Sequence, residues 1–198
     1  MKQMTQLQKA GVFVRQNFLS AKHCADLRTK ILQSRQMSGR VYHDAKSQIN
    51  EDLRKTQLAI LPYEEIQSIQ DLFSDLKPSL VTHFGLHLDR CRTPIFCCYQ
   101  QGDFFKKHQD NGADDPNSPR SLAIRKITVV LFLNTQQPTT KLSHFSGGGL
   151  RLYDLKDHSE SLTIKEEEGL LIAFRSEVYH QVNEIRQGQR FSVVSWFI

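Results

Sequence analysis

From Pro94 to the C-terminus the chain breaks into eight short β-rich runs, at 94–100, 104–110, 123–134, 149–154, 160–164, 169–174, 179–184 and 189–197. Polar segments containing Gly and Pro separate them. Runs of this length and spacing predict a sandwich or jelly roll. The last run adds a constraint. In Arg190-Phe-Ser-Val-Val-Ser-Trp-Phe-Ile198, alternate residues divide into Arg190, Ser192, Val194, Trp196 and Ile198 on one face and Phe191, Val193, Ser195 and Phe197 on the other. Both faces are largely apolar, so the strand is predicted to be covered on both sides, with Arg190 in or beside the interior. A buried guanidinium without a partner is costly. It calls for a carboxylate from a bound ligand, a carboxylate of the chain such as Glu184, or a strand end that reaches solvent.

The first 93 residues have a different texture. Residues 11–19 read as a short entry strand, and Ser20 can cap a helix running to about Gln36, with Cys24, Leu27, Ile31 and Leu32 near one stripe. Residues 37–53 are polar and loop-like. Residues 54–61 read as a strand stopped by Pro62. A second helix covers about 63–76 through Ile66, Ile69, Leu72, Phe73 and Leu76, and Pro78 breaks or restarts it into a further helix ending near Phe84. Such helices suit a layer laid on a sheet. At 198 residues, the expectation is one domain: a helical support layer with edge strands (1–93) and a jelly-roll catalytic core (94–198). The fold class is α+β, mainly β.

Bulk properties narrow the setting. No apolar run is long enough to span a bilayer, and the N-terminus lacks an apolar signal core. The spacing of Cys24, Cys91, Cys97 and Cys98 matches no zinc pattern, so four reduced thiols in a cytoplasmic protein are expected. Residues 1–60 hold 11 Lys+Arg against 4 Asp+Glu, a net +7, whereas residues 61–198 hold 15 against 17, a net −2. The basic part would suit an acidic partner or nucleic acid, but reads first as a solvated helix face. The oligomeric state is not written in the sequence.

Candidate chemistry gathers in Tyr99-Gln-Gln-Gly-Asp-Phe-Phe-Lys-Lys-His-Gln-Asp110. On a strand, His108 and Asp110 share a face and can take two positions on one metal ion. His180 is the best third ligand, with Arg190 ten residues after it. Two His and one carboxylate on one side of an ion leave the other positions open, which suits non-haem Fe(II) and O₂ chemistry. A His-x-Asp triplet in a chain with eight His is a weak mark by itself; its surroundings give it weight. The remaining histidines, His23, His43, His83, His87, His144 and His158, read as surface residues.

These residues resemble the prolyl 4-hydroxylase branch of the Fe(II)/2-oxoglutarate oxygenases. The pattern of that family is His-x-Asp, a distal His, then Lys or Arg about ten residues on. Tyr99 with Gly102, Arg125-Lys-Ile-Thr128 in a strand ending Leu-Asn134, Gly147-Gly-Gly-Leu150, Gly169-Leu-Leu-Ile-Ala-Phe174 and the closing Trp196-Phe197 match further pieces in order. The match is detailed over about 94–198. It implies a double-stranded β-helix core with helices packed outside. It also implies Fe(II), 2-oxoglutarate as cosubstrate and O₂, with ascorbate as an optional reductant, and a hydroxylation that releases succinate and CO₂.

The resemblance carries roles onto this chain. His108, Asp110 and His180 correspond to the iron ligands, and Arg190 to the residue that pairs with the distal carboxylate of 2-oxoglutarate. Ser192 and Thr128 are candidate hydroxyl donors to the cosubstrate, and Tyr99 lines its pocket. Trp196 is assigned chiefly to core packing. Phe132 departs from the hypoxia-sensing prolyl hydroxylases, which carry Tyr there, so a donor to the cosubstrate is missing.

The expected activity is hydroxylation of a protein or peptide side chain, prolyl being one option. The alternative is a free amino acid or small metabolite. A cupin-like binding module without activity is disfavoured by the intact set of His108, Asp110, His180 and Arg190. Nucleic-acid demethylation is disfavoured because AlkB-type enzymes place a second Arg where Trp196 stands. Loops 111–122 and 135–148 are expected to border the site, the second containing Leu142 and Phe145; Asp114 and Asp115, with Lys106 and Lys107 nearby, could contact a charged substrate but read first as solvated charge.

Overall fold

Residues 2–43, 46–112, 117–137, 144–154 and 161–198 are described in the computed structural model of the chain. Asp114, Asp115, Leu142, His158 and the side chain of His43 lie outside the described residues. Five helices are present among those described: α1 (Lys2–Lys9), α2 (Ala21–Gln33), α3 (Tyr63–Ser74), α4 (Lys77–Phe84) and the short α5 (Arg120–Ala123).

A seven-stranded sheet forms one wall. Its order is β1 (Phe13–Arg15), β14 (Leu171–Arg175), β9 (Ile127–Phe132), β17 (Arg190–Phe197), β7 (Ile95–Tyr99), β6 (Gln57–Ile60) and β2 (Arg35–Ser38). A five-stranded sheet, β13 (Ser161–Thr163), β12 (Leu150–Tyr153), β15 (His180–Val182), β8 (Phe104–His108) and β5 (Arg54–Lys55), contributes to the same inner core. A small sheet of β10 (Thr135–Gln136), β11 (His144–Gly147) and β16 (Ile185–Gly188) and a hairpin of β3 (Val41–His43) and β4 (Lys46–Gln48) complete the strands. The double-stranded β-helix plan and the mainly β class follow the sequence expectation. The chain's first part enters the main sheet directly, because β1, β6 and β2 extend it at both edges.

Period-2 alternation explains the layering. On β9, Ile127, Val129 and Leu131 join one core cluster while Val130 and Phe132 join the other. On β17, Phe191, Val193 and Phe197 join the first, and Arg190, Ser192, Val194 and Trp196 line the interior. The first cluster lies under the helices, where Ile31, Phe73 and Leu80 are fully buried. Each such side chain contributes about 1.5–3 kcal/mol on burial, so three of them anchor α2, α3 and α4 firmly to the sheet. The second cluster fills the space between the two larger sheets and surrounds the candidate site.

Several local expectations change. Ser20 does cap α2, its Oγ accepting the His23 N–H at 3.3 Å. The helix stops at Gln33, however, because residues 35–38 pair with β6 as β2. Leu32 is half exposed, since it stands about 100° round the helix from buried Ile31. The stretch expected as a loop at 37–53 contains the β3–β4 hairpin, which shows no apolar alternation to reveal it. Helix α1 was unexpected; it is anchored by fully buried Leu7. The run 123–134 begins as strand only at Ile127, because α5 occupies 120–123. Two glycines are required by the backbone. Gly147 has φ +73° and a Cβ there would meet Glu184 O at 2.5 Å; Gly169 has φ +77° and a Cβ would meet Leu19 O at 2.3 Å.

Candidate active site

His108 and His180 are brought together by register. His108 ends β8, His180 begins β15, and the two are direct partners across the antiparallel ladder, with ring centroids 4.2 Å apart. Asp110 is not on the strand as expected, because β8 ends at His108. Its backbone N–H instead donates to Ser176 O at 3.0 Å, which holds the turn against the end of β14. The carboxylate still points to the His108 side: His108 Nε2 lies 3.6 Å from Oδ1, and His180 Nε2 3.5 Å from Oδ2.

Both imidazoles are prepared as ligands. His108 Nδ1 is 2.8 Å from Lys106 O and His180 Nδ1 is 2.9 Å from Val178 O. A carbonyl only accepts, so each Nδ1 carries the proton and each Nε2 presents a lone pair. One ligand atom from each of His108, Asp110 and His180 lies within 4.8 Å of the others. Phe105 stacks on His108 at 3.6 Å, and Phe174 packs edge-on to His180 at 5.1 Å, which fixes both rings. Burial pushes His180 down to about 4, His108 adding to this while Asp110 and Val178 O oppose it, so the ring is neutral at pH 7. Burial works against ionisation of Asp110, but His180, His108 and Arg125 outweigh it and hold the carboxyl well below its usual range. A pre-aimed His pair with an ionised carboxylate is the donor set that suits a divalent ion such as Fe(II).

Thr128 acts on this set. Its Oγ1 donates to Asp110 Oδ2 at 2.8 Å, which leaves Ser176 Oγ, 3.0 Å away, as the donor to Thr128. The hydroxyl proposed from sequence as a cosubstrate donor is thus engaged by the carboxylate.

Arg190 lies deeper in the same cavity, which holds about 690 Å³ and is also lined by the triad, Tyr99 and Ser192. Its Nε donates to both oxygens of Glu166, at 2.9 and 3.0 Å, and Nη1 donates to Ser192 Oγ at 3.0 Å. Nη2 has no hydrogen-bond partner among the described residues. The rings of Tyr99 and Phe132 lie 5.2 and 5.6 Å from the guanidinium carbon. The chain's own carboxylate for Arg190 is therefore Glu166, not Glu184. Glu166 is fully buried, and its Oε1 also accepts the Leu150 N–H at 2.9 Å. Burial pushes its carboxyl up, while Arg190 and the Leu150 N–H pull it back down.

Sequence reasoning missed Glu166, which stands in a Lys-Glu-Glu-Glu run that resembles a solvated face. It also gave no role to Arg125, although that residue belongs to the Arg-x-x-Thr pattern. Its guanidinium covers the Trp196 ring at 3.8 Å and donates to Asp110 O at 3.1 Å. Trp196 consequently faces the cavity rather than the helix-side core. Residues His23, His83 and His87 are remote from the triad, and all four cysteines are free and buried. No helix among the described residues is long and apolar enough to cross a membrane.

Known proteins share this fold. A solved prolyl-4-hydroxylase from Pseudomonas putida superposes with a TM-score of 0.70 at 23% identity, covering 98% of this chain and 95% of that one. A Trichoplax adhaerens prolyl hydroxylase, solved with a hypoxia inducible factor peptide fragment, gives 0.71 at 19% identity, covering 98% and 86%. These likenesses establish the fold. A PKHD-type hydroxylase from Psychrobacter sp. is 30% identical over 104 residues, which are 52% of this chain and 36% of that protein. The chain thus spans about a third of the length of that curated relative. The family model described as the 2OG-Fe(II) oxygenase superfamily matches residues 94–198, the stretch that carries His108, Asp110, His180 and Arg190 on its double-stranded β-helix. The chain belongs to the 2OG-Fe(II) oxygenase superfamily.

Proposed function

We propose that the protein is an Fe(II)- and 2-oxoglutarate-dependent hydroxylase of a polypeptide side chain, with prolyl the first residue to test. The observation that carries this reading is the convergence of the His108 and His180 imidazoles and the Asp110 carboxylate in one cavity that Arg190 also lines. When bound, the metal and cosubstrate supply oxidising chemistry in which O₂ and 2-oxoglutarate give succinate and CO₂, with one oxygen atom entering a substrate C–H bond.

The chain's residues account for the rest. His108, Asp110 and His180 would hold the metal, which would supply the O₂-activating chemistry. Thr128 and Ser176 keep Asp110 turned toward the imidazoles. Arg190 offers a charged N–H edge to the distal carboxylate of 2-oxoglutarate, and Glu166 fixes the guanidinium plane from behind. Ser192 accepts from Arg190 and so keeps its own hydroxyl proton for a ligand oxygen. Tyr99 walls this end of the cavity, and the Phe132 ring lies 5.6 Å from the guanidinium carbon of Arg190. A binding module without activity has no need of this donor set.

Peptide recognition is supported by the reach of the cavity, which runs from Arg190 outward to Val41 and Tyr42 on the β3 strand. The likeness to a prolyl hydroxylase solved with a peptide points the same way. A free amino acid or small metabolite is the second reading, favoured by the volume of about 690 Å³, which suits an enclosed small-ligand site. The test incubates the protein with Fe(II), 2-oxoglutarate and either a peptide panel or a metabolite panel. Peptides that gain one oxygen, matched by succinate, support the proposal. Turnover confined to free metabolites would replace it with the second reading.

A further inference from the structure

The outer part of the cavity is lined by an excess of one charge. Arg40, Arg54, Arg92 and Arg125 all line it, and Asp110 is the only Asp or Glu that does so among the described residues. Asp110 is committed to the metal position. Each of the four guanidiniums is held by neutral acceptors. Arg40 donates to Ser47 Oγ at 3.1 Å and Ser47 O at 2.6 Å, and Arg54 to Arg40 O at 3.2 Å. Arg92 donates to Ser121 O at 2.6 Å, and Arg125 to Asp110 O at 3.1 Å. None forms an ion pair among the described residues.

These residues come from separate parts of the chain yet line one cavity. Gathering like charges costs free energy unless an anion joins them. Three buried N–H groups in this wall, Arg54 Nε, Arg125 Nε and Trp196 Nε1, also lack a hydrogen-bond partner. Buried donors without a protein partner are rare in folded proteins.

We propose that this arginine cluster is a recognition site for the carboxylates of an acidic peptide segment, whose Asp or Glu side chains flank the residue presented to the metal. The inference rests on the hydroxylase reading above and names its substrate class. A planar guanidinium pinned on one edge offers its other edge to a carboxylate in a fixed direction. A nucleic acid would share the negative charge but also needs open aromatic faces on which bases stack. Here Arg125 covers Trp196 at 3.8 Å, and Phe105 lies between the guanidinium of Arg54 at 4.6 Å and the ring of His108 at 3.6 Å. The Trp196 and Phe105 faces are thus already occupied, which favours the peptide.

The test uses the full chain loaded with Mn(II) and 2-oxoglutarate. Three synthetic peptide pools, with Asp/Glu, Ser/Gln or Lys/Arg flanking a varied centre, and a single-stranded DNA oligonucleotide are offered in competition, and retention is read by mass spectrometry. The acidic pool should be retained about tenfold more tightly than the neutral pool, falling as salt is raised. Arg92→Glu and Arg40→Glu should each remove most of that preference with an unchanged melting temperature. Arg15→Glu, an equal charge change on β1 away from the cavity lining, should not alter it. Equal retention of the three pools, an unchanged preference in both cavity variants, or preferential retention of the oligonucleotide would overturn the proposal. Succinate release is measured in parallel. If it is absent while acidic peptides are retained, the hydroxylase reading fails and the acidic-peptide site stands.

Discussion

The Nε of Arg190 donates to both carboxylate oxygens of Glu166, at 2.9 and 3.0 Å, and neither side chain is more than 2% exposed. Removing one partner of a buried pair leaves an uncompensated charge, which typically costs about 3–5 kcal/mol. Arg190→Ala and Glu166→Ala are each expected to lower stability on that scale in denaturant unfolding. The double change Arg190→Met with Glu166→Leu removes both charges and should recover most of the loss. It should not recover 2-oxoglutarate affinity, measured by calorimetry with Mn(II). Recovery of both properties would mean that Arg190 does not contact the cosubstrate.

Thr128 tests the support of the metal ligands. Thr128→Val keeps the shape of the side chain and removes the donor to Asp110 Oδ2. Loss of such a supporting hydrogen bond is expected to weaken metal affinity about 10- to 100-fold. Mn(II) binding followed by electron paramagnetic resonance should show this weakening with little change in circular dichroism. Thr128→Ser, which retains the hydroxyl, should fall near the wild type.

Phe132 and Tyr99 stand on either side of Arg190. Phe132→Tyr adds a phenol hydroxyl in the neighbourhood of Arg190. It is expected to tighten 2-oxoglutarate binding by about 0.5–1.5 kcal/mol, the net value of one hydrogen bond. Titration calorimetry of the two proteins reads this difference; weaker binding would show that the hydroxyl has no room.

The cysteines give a prediction independent of the site. Burial raises Cys24 to about 11, Cys91 to about 11 and Cys98 to about 12, and raises Cys97 as well. Thiolate is therefore scarce at pH 8, and the sulfurs are enclosed. Iodoacetamide should leave all four unmodified in the native protein and label all four in denaturant, as counted by intact mass.

Much of the site was legible because it depends on short-range pattern. His108, Asp110, His180 and Arg190 are fixed by sequence spacing, and the alternation in β17 placed Arg190 inside. What escaped depends on long-range pairing. Glu166 reaches Arg190 across 24 residues, and its acidic run gives no sign that one member turns inward. Thr128 was placed on the correct face, but choosing Asp110 over a cosubstrate as its acceptor requires the turn that Ser176 holds. Helix α1 and the β3–β4 hairpin escaped because neither carries an extended apolar pattern. Arg54, Arg92 and Arg125 meet only when three separate segments pack together.

The central claim is that His108, Asp110 and His180 hold a metal that consumes 2-oxoglutarate. Succinate release from 2-oxoglutarate in air, with and without Fe(II), tests it most directly in the wild type and the His180→Ala variant. The account predicts Fe(II)-dependent succinate in the wild type and a loss of at least about 100-fold in the variant. Equal succinate release by the two proteins, or none by the Fe(II)-loaded wild type, would contradict it.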